Sequence, residues 1–274
     1  MREALAKAIL ALCLFIVITT HSLAQQTDSY NFSHPGGLVE FILPKNSNVL
    51  PSVHFGIYEA VIIDQIDHWR VIVGLAVNTL PGDYLVYVKY LDSTSPAYNI
   101  KFTVKHKDYP ITVIDSNTTA AINLTHKSLS DLDFSNSGQP ELPLRKPVEG
   151  DWADLFAHRK YSSDENLEAP ILTTQNYISP TATESRIVVA PAKAIISKIE
   201  LNDTPSQLAT VFLDHGRGLY SIISGVSDLS VALGDGVVAG SVIGKLSLSS
   251  KPSELKWQCL LNGVYVNPLI LTQI

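Results

Sequence analysis

The chain has little cysteine: Cys13 and Cys259 are the two such residues among its 274. Cys13 lies in an apolar run, Ala8–Thr20, that follows a short charged start and ends near the small residues Ser22–Ala24. This pattern is typical of a secretory signal peptide over residues 1–24, and its apolar run is short for a membrane span. Cleavage after Ala24 would leave Cys259 alone, which excludes a structural disulfide within the mature chain.

Runs of lysine or arginine are also missing, and the formal net charge of the chain is −6. An acidic chain without a basic patch is poorly suited to nucleic acids or to anionic membrane surfaces. Internal repeats, phosphate-binding loops, coiled-coil heptads and serine-hydrolase elbows are absent from the sequence as well. We therefore predict a protein that binds no nucleic acid and has no membrane span after signal cleavage.

Short β-branched and aromatic runs fill the first half of the mature chain, and turn residues such as Pro81-Gly82 separate them. Several of these runs alternate apolar and polar residues, which is typical of strands with one buried face. The spacing predicts an immunoglobulin-like β sandwich over residues 25–113. The runs are Leu38–Leu43, Gly56–Ile63, Trp69–Gly74, Tyr84–Tyr90 and Tyr98–Lys105.

The second half of the chain begins with a polar, proline-containing stretch over residues 114–150, which we predict to be a linker with a short helix around Lys127–Leu132. Residues 151–274 are again strand-like, and Leu208–Leu213 and Leu255–Leu260 are expected to build a β groove. Two β domains of ordinary size fit the length of the chain. The predicted fold class is therefore all-β.

Five segments of the second domain follow one another in a characteristic order. They are Ile187–Pro191, Leu213–Gly218, Val231–Asp235, Val238–Gly244 and Leu261–Pro268. In order and spacing they resemble the lysostaphin-type (LytM-like) zinc endopeptidases, which cut peptide cross-links of bacterial peptidoglycan. The resemblance implies an antiparallel β domain of the duplicated-hybrid-motif type with a groove. The first domain is similar to the one that precedes the peptidase in many Gram-negative members.

The resemblance implies positions for a zinc site, because the family binds zinc through a His and an Asp and through a His-x-His strand. In this chain the first pair falls on Gln175 and Ser179, and the His-x-His strand falls on Glu254 and Lys256. The family's further catalytic histidine falls on Gly225. Neither glutamine nor serine is a usual zinc ligand, and an ammonium has no lone pair to donate. We predict no catalytic residue, no bound metal and no cofactor, although active relatives use zinc.

Three further residues are candidates for the groove. His158 lies upstream, where related enzymes have a Phe-Gly-x-Arg segment, and His215 matches the family's turn histidine, which is not a ligand. Trp257 follows Lys256 in a predicted strand and should face the opposite side, toward the core. Glu254 and Lys256 share one face and are expected to form the groove floor, either to contact a partner or to fill the space of the absent metal.

The leading hypothesis is a secreted or periplasmic, non-catalytic homologue of peptidoglycan endopeptidases from a Gram-negative bacterium. Its expected partner is peptidoglycan or a cell-wall hydrolase such as an amidase, because the resemblance includes zinc-less members that activate amidases. One alternative is an active zinc metalloendopeptidase with an atypical site involving His158, His215 and Glu254. A second alternative is a structural or adhesion module in which the β sandwich carries the function.

Overall fold

The structure is a computed structural model, and it describes most of the mature chain. The predicted signal peptide, Gln175 and Glu254 lie outside the described residues, as does most of the helix predicted around Lys127–Leu132. The described residues are 25–26, 32–45, 47–91, 96–114, 129, 131–162, 172–174, 179–183, 187–201, 208–246 and 255–274.

The first domain consists of two four-stranded antiparallel sheets. The strands are β1 (Gln25–Gln26), β2 (Leu38–Pro44), β3 (Ser52–Phe55), β4 (Tyr58–Glu59), β5 (Val61–Asp64), β6 (His68–Gly74), β7 (Gly82–Lys89) and β8 (Tyr98–Val104). One sheet has the order β1-β2-β6-β5 and the other has the order β4-β3-β7-β8. The predicted antiparallel β sandwich is confirmed.

Alternation along the strands explains why the two sheets pack face to face. In β7, Val86 and Val88 are buried, whereas Leu85 and Tyr87, which alternate with them, are exposed. Successive side chains of a strand point to opposite faces, so such a strand can bury only one face. The buried faces meet in one apolar core, in which Phe41 and Phe102 make an edge-to-face ring contact at 5.9 Å.

The second domain is built around one large antiparallel sheet. The elements are β9 (Ile111–Ile114), β10 (Gly150–Ala153), β11 (Arg159–Ser162), β12 (Leu172–Thr174), β13 (Ser179–Thr183), β14 (Ile187–Val189), β15 (Ala194–Leu201), β16 (Ala209–Gly216), β17 (Leu219–Ser227), β18 (Gly236–Val237), β19 (Val242–Leu246), β20 (Lys256–Leu261), β21 (Val264–Val266) and the short helix α1 (Pro268–Leu271). The strands of the large sheet have the order β14-β19-β17-β16-β15-β18, and β20 joins this sheet by pairing with β17 and β21. Smaller sheets pair β10 with β13 and place β11 between β12 and β9.

These elements confirm the all-β fold class, with antiparallel pairing throughout except between β9 and β11, which run parallel. The helix α1 begins after Asn267, whose side chain accepts a hydrogen bond from the backbone of Leu269 at 3.0 Å and caps the first turn. Among the described residues no helix is both long and apolar enough to cross a membrane.

The two domains share part of one core. Leu38 and Ile72 of the sandwich belong to the same buried cluster as Val266 of the second domain. The backbone nitrogen of Asn267 donates to Gly36 O at 3.0 Å, across the junction. A Cβ atom on Gly74 would lie 3.1 Å from the Val266 side chain, so β6 packs closely against that side chain. The sandwich is therefore packed against the end of β21 and the start of α1.

The described part of the predicted linker is packed on the second domain. Leu144 and Val148 are buried in its core, with 2% and 1% of their surface exposed. The backbone nitrogen of Leu144 donates to Leu271 O at 2.8 Å, and that of Arg145 donates to Pro191 O at 2.9 Å. Isolated apolar residues in a proline-containing stretch thus serve as anchors, because burial removes their surface from water.

Candidate functional site

Four neighbouring strands, β15, β16, β17 and β20, present one continuous surface that we call the groove face. Their registers place equivalent residues side by side, and every second residue along each strand lies on this face. One cross-strand row consists of Glu200, Thr210, Ser224 and Lys256, the next of Lys198, Phe212, Ile222 and Gln258, and a third contains Tyr220 and Leu260.

The first of these rows forms a polar end of the groove face. Thr210 Oγ1 donates a hydrogen bond to Ser224 Oγ at 3.0 Å, and the Lys256 side chain beside Ser224 is exposed. Gly225 follows in a bulge of β17, with a φ of 89° that favours glycine. Ser179 Oγ donates to Leu255 O at 2.7 Å, next to Lys256.

The structure therefore brings together three positions that the sequence aligns with the zinc site: Ser179, Gly225 and Lys256. Their chemistry does not fit zinc. The Ser179 hydroxyl donates to a backbone carbonyl, Gly225 has no side chain, and the Lys256 ammonium has no lone pair. The described residues contain no group of three or more His, Cys, Asp or Glu side chains that could hold a metal ion.

The opposite end of the groove face is mainly apolar and is covered. A buried carboxylate, Asp214, lies across from Tyr220 in the third row and accepts a hydrogen bond from Gly216 N at 2.8 Å. Phe212, Tyr220, Ile222 and Leu260 form the floor of this end, and none of them is more than 3% exposed. Leu129 and Leu132 pack against this floor, together with Tyr265. Burial raises the pKa of the Tyr220 phenol above its usual range and raises that of Tyr265 to about 12, so both are uncharged donors.

Strands β16, β17 and β20 also contribute a buried polar network to the other side of the sheet, which we call the core face. His215 Nδ1 lies 2.8 Å from Lys193 O, which can only accept, so Nδ1 carries the proton. His215 Nε2 then accepts from Ser221 Oγ at 2.9 Å, and Trp257 Nε1 donates to the same hydroxyl oxygen at 3.3 Å. Each polar group in this network has a partner.

Burial also sets the charge states on the core face. It lowers the pKa of His215 from 6.5 to about 4, although the hydrogen bond to Lys193 O opposes the shift. Cys259 Sγ lies 3.8 Å from Ser221 Oγ, and burial raises the pKa of its thiol. A neutral histidine and a neutral thiol in a closed core fit a structural role, since neither can reach a ligand.

Two of the candidate groove residues thus lie elsewhere. His215 is 3% exposed and Trp257 is fully buried, because both project from the core face rather than the groove face. His158 is half-buried in the loop before β11, which pairs with β9 and β12 in a different sheet from Lys256. Sequence reasoning missed Thr210 and Ser224, although each lies two residues from a groove-face position and alternation could have identified them.

Comparison with known proteins supports the fold described above. Residues 176–268 match the model of Peptidase family M23. A crystal structure from Pseudomonas aeruginosa, described as a peptidase M23, superposes with a TM-score of 0.64 and is 22% identical in sequence. The match covers 88% of this chain and 95% of that chain, so the fold extends over both domains.

Two other solved structures match smaller parts of the chain. The catalytic domain of lysostaphin from Staphylococcus simulans is 17% identical over 37% of this chain and 80% of its own, with a TM-score of 0.32. A structure of the SpoIIQ-SpoIIIAH pore forming complex is 21% identical over 48% of this chain and 91% of its own, with a TM-score of 0.36. No curated protein gives a significant match to this chain.

Proposed function

We propose that residues 176–268, which match the model of peptidase family M23, form a domain that binds rather than cuts. In this proposal the protein is a non-catalytic homologue of peptidoglycan endopeptidases. It acts outside the cytoplasm, in the periplasm of a Gram-negative bacterium, and regulates envelope remodelling. Its groove face binds a cell-wall component, either peptidoglycan or a cell-wall hydrolase such as an amidase. The signal-peptide pattern of residues 1–24 supports the location.

One observation carries the proposal. Ser179, Gly225 and Lys256 lie together at the polar end of the groove face. The Ser179 hydroxyl already donates to a backbone carbonyl, Gly225 has no side chain, and Lys256 is a cation. A catalytic zinc site needs three protein ligands and an open position for water. An ammonium at such a position repels a metal ion and cannot activate water as a metal-bound hydroxide. These three residues therefore support a domain that binds without hydrolysis.

The same end has features of a binding surface. Lys256 is exposed, and the Thr210 and Ser224 hydroxyls beside it are half-buried. An exposed cation beside hydroxyl groups can contact the carboxylates and hydroxyls of peptidoglycan, or an acidic segment of a protein. The rigid strands that present these groups limit the entropy lost when a partner is bound.

The test combines binding and cleavage in one sample. Purified protein is incubated with isolated peptidoglycan sacculi, and separately with a purified cell-wall amidase, with and without added zinc. We expect retention on one of these two probes and no loss of cross-linked muropeptides under either condition. A Lys256→Glu variant should lose about ten-fold in retention, because it places a negative charge at the contact.

A Lys101→Glu variant is the matched control, since it makes the same charge change on the sandwich, where Lys101 pairs with Asp83 at 2.7 Å. It should bind like the wild type. About one tightly held zinc per chain together with loss of cross-links would instead establish an active metalloendopeptidase. If retention is unchanged in Lys256→Glu but is lost when residues 25–110 are deleted, the result would favour the structural or adhesion module.

A further inference from the structure

A cavity of about 230 Å³, which we call the junction cavity, lies between the two domains. Arg217, in the turn between β16 and β17, and Asn262, in the turn between β20 and β21, line it from the second domain. Leu50, Ala60 and Ile62 line it from the sandwich. Both turns lie beyond the ends of the strands that build the groove face, so the junction cavity is a separate site.

The two turns hold Arg217 and Asn262 in fixed positions. Both residues have a positive φ, of 52° and 46°, which is uncommon for residues other than glycine and persists where the surrounding structure imposes it. Asn262 N donates to Gly218 O at 2.8 Å, and Arg217 N donates to Asn136 O at 2.8 Å. A Cβ atom on Gly218 would overlap Asn262 Oδ1, so the two turns pack directly against each other.

The Arg217 guanidinium lacks an acceptor among the described residues. Its Nε atom is fully buried, and no described residue accepts a hydrogen bond from it. The described residues also give Arg217 no ion pair, whereas Arg70 of the sandwich pairs with Glu40 at 2.9 Å. Arginine stays protonated in proteins, and a buried donor without an acceptor is unfavourable, most of all when it is charged. An anion bound in the junction cavity would supply the acceptor.

Further polar groups line the same space. Asn262 Nδ2 donates to Glu59 O at 2.7 Å and so ties its turn to the sandwich. Asn136 Oδ1 accepts from Gly138 N at 2.9 Å, which leaves the Asn136 amide nitrogen as a donor, and Ser137 adds an exposed hydroxyl. The junction cavity therefore combines one guanidinium with neutral donors, a set of groups that suits a carboxylate.

Charge and size narrow the class of ligand. Glu59 also lines the junction cavity, and its negative charge opposes a doubly charged anion such as phosphate more than a monoanion. Ala60 and Ile62 are buried and Phe134 lines the same space, so part of the wall is apolar. The volume greatly exceeds the roughly 30 Å³ that one water molecule takes in the liquid, so a small organic molecule fits.

We infer that the junction cavity binds a small aliphatic monocarboxylate. The carboxylate accepts hydrogen bonds from the Arg217 guanidinium, and the apolar body lies against the sandwich. A free short-chain acid and the C-terminal carboxylate of a short peptide share this chemistry. The inference goes beyond the proposed function and does not rest on it, because none of the described residues that line the junction cavity belongs to the groove face.

The experiment titrates the protein over residues 25–274 with N-acetylalanine, propionate, N-acetylalanine amide and inorganic phosphate. Two-dimensional ¹⁵N NMR follows the Arg217 Nε–H signal, which reports on the acceptor, and calorimetry gives the dissociation constant. We expect saturable binding of both carboxylates, with dissociation constants on the order of a millimolar, and no saturable binding of the amide. Tighter binding of N-acetylalanine than of propionate identifies a peptide terminus as the source, and the reverse order identifies a free acid.

Arg217→Lys keeps the positive charge but removes the Nε–H donor, so it should weaken N-acetylalanine binding about ten-fold. The loss of one signal in this variant also assigns the Arg217 Nε–H group. Arg145→Lys is the matched control, because it makes the same change at an exposed arginine that pairs with Glu149 at 2.9 Å. It should bind like the wild type.

Circular dichroism and urea unfolding establish that each variant is folded. If Arg217→Lys is not folded, Glu59→Gln serves instead, since Glu59 is exposed. Removal of its negative charge should tighten N-acetylalanine binding by about two- to five-fold. Unchanged or weaker binding by Glu59→Gln would then count against the inference.

A wild type that binds neither carboxylate overturns the inference, and so does a folded Arg217→Lys that binds like the wild type. Amide binding as tight as that of the acid also overturns it, because the carboxylate would not be recognised. Phosphate binding tighter than that of both carboxylates contradicts the predicted class of ligand. Retention on sacculi or on an amidase is measured separately, so the proposed function and the junction cavity can each fail without the other.

Discussion

The core face and the groove face of the second domain are built from the same strands, but their polar groups are arranged differently. On the core face, His215, Ser221 and Trp257 satisfy one another in a closed network. On the groove face, Lys256 is exposed at one end, and the other end is covered by a segment from outside the sheet. The core face therefore serves stability, and the groove face is the one to which the proposed function assigns recognition.

Alternation along a strand makes this division possible. Lys256 and Trp257 are neighbours in β20, yet one is exposed and the other is fully buried. Because successive side chains point to opposite faces, a change on one face leaves the other largely intact. A fold can thus keep its core network while the residues at a former reaction site differ, which is the pattern that the resemblance to zinc endopeptidases implies here.

The largest expected effect comes from the core face. Trp257→Ala removes a ring that contacts the Trp152 ring edge to face at 5.9 Å and deletes the hydrogen bond to Ser221. We expect the free energy of unfolding to fall by about 3–5 kcal/mol, because the cavity cannot refill. Urea unfolding followed by circular dichroism measures this. Trp257→Phe keeps an aromatic ring and should lose clearly less; an alanine variant as stable as the wild type would contradict the assignment to the core.

An intermediate effect should appear as a pH dependence of stability. The pKa of His215 is about 4 in the folded protein and 6.5 as its ordinary value, so the unfolded chain binds more protons between these values. The free energy of unfolding should therefore be steady above pH 6.5 and fall as the pH drops toward 4. The loss is up to about 3 kcal/mol from this one group.

Urea unfolding across that pH range measures how the free energy of unfolding changes with pH. A His215→Gln variant should lose the part of this change that comes from the imidazole. His34 is a useful control, since burial also lowers its pKa and it lies in the first domain. A His34→Gln variant should keep the His215 contribution. An unchanged slope in His215→Gln would show that the buried network does not hold a neutral imidazole.

Local patterns predicted most of the fold. Turn residues and alternating runs located the strands of the sandwich, whereas the antiparallel second domain was implied by the resemblance of five motifs to a known family. The orientation of Trp257 followed from its place beside Lys256, because strand geometry fixes which side each residue faces. Such features depend on residues close in sequence, so one chain contains enough information for them.

The segment that covers the apolar end of the groove face, Leu129 with residues 131–138, shows what local patterns could not predict. Its residues are polar enough to indicate a linker, and its contacts join Asp133 to Tyr220 across a separation of 87 residues. Neither strand alternation nor motif spacing identifies which exposed segment covers which face. His215 was a candidate for the groove for a related reason, since a motif shows that a residue is near a site but not the side from which it approaches the site.

The smallest expected effect on stability comes from Lys256, the residue next to Trp257. Lys256→Ala changes an exposed residue on the groove face, so the free energy of unfolding should change by no more than about 0.5 kcal/mol. Urea unfolding by circular dichroism, run in parallel with Trp257→Ala, makes the comparison between adjacent residues. Retention on the partner should nevertheless fall, because the removed cation belongs to the polar end. A loss of several kcal/mol from Lys256→Ala would show that this face also stabilises the domain, and the division between the two faces would no longer hold.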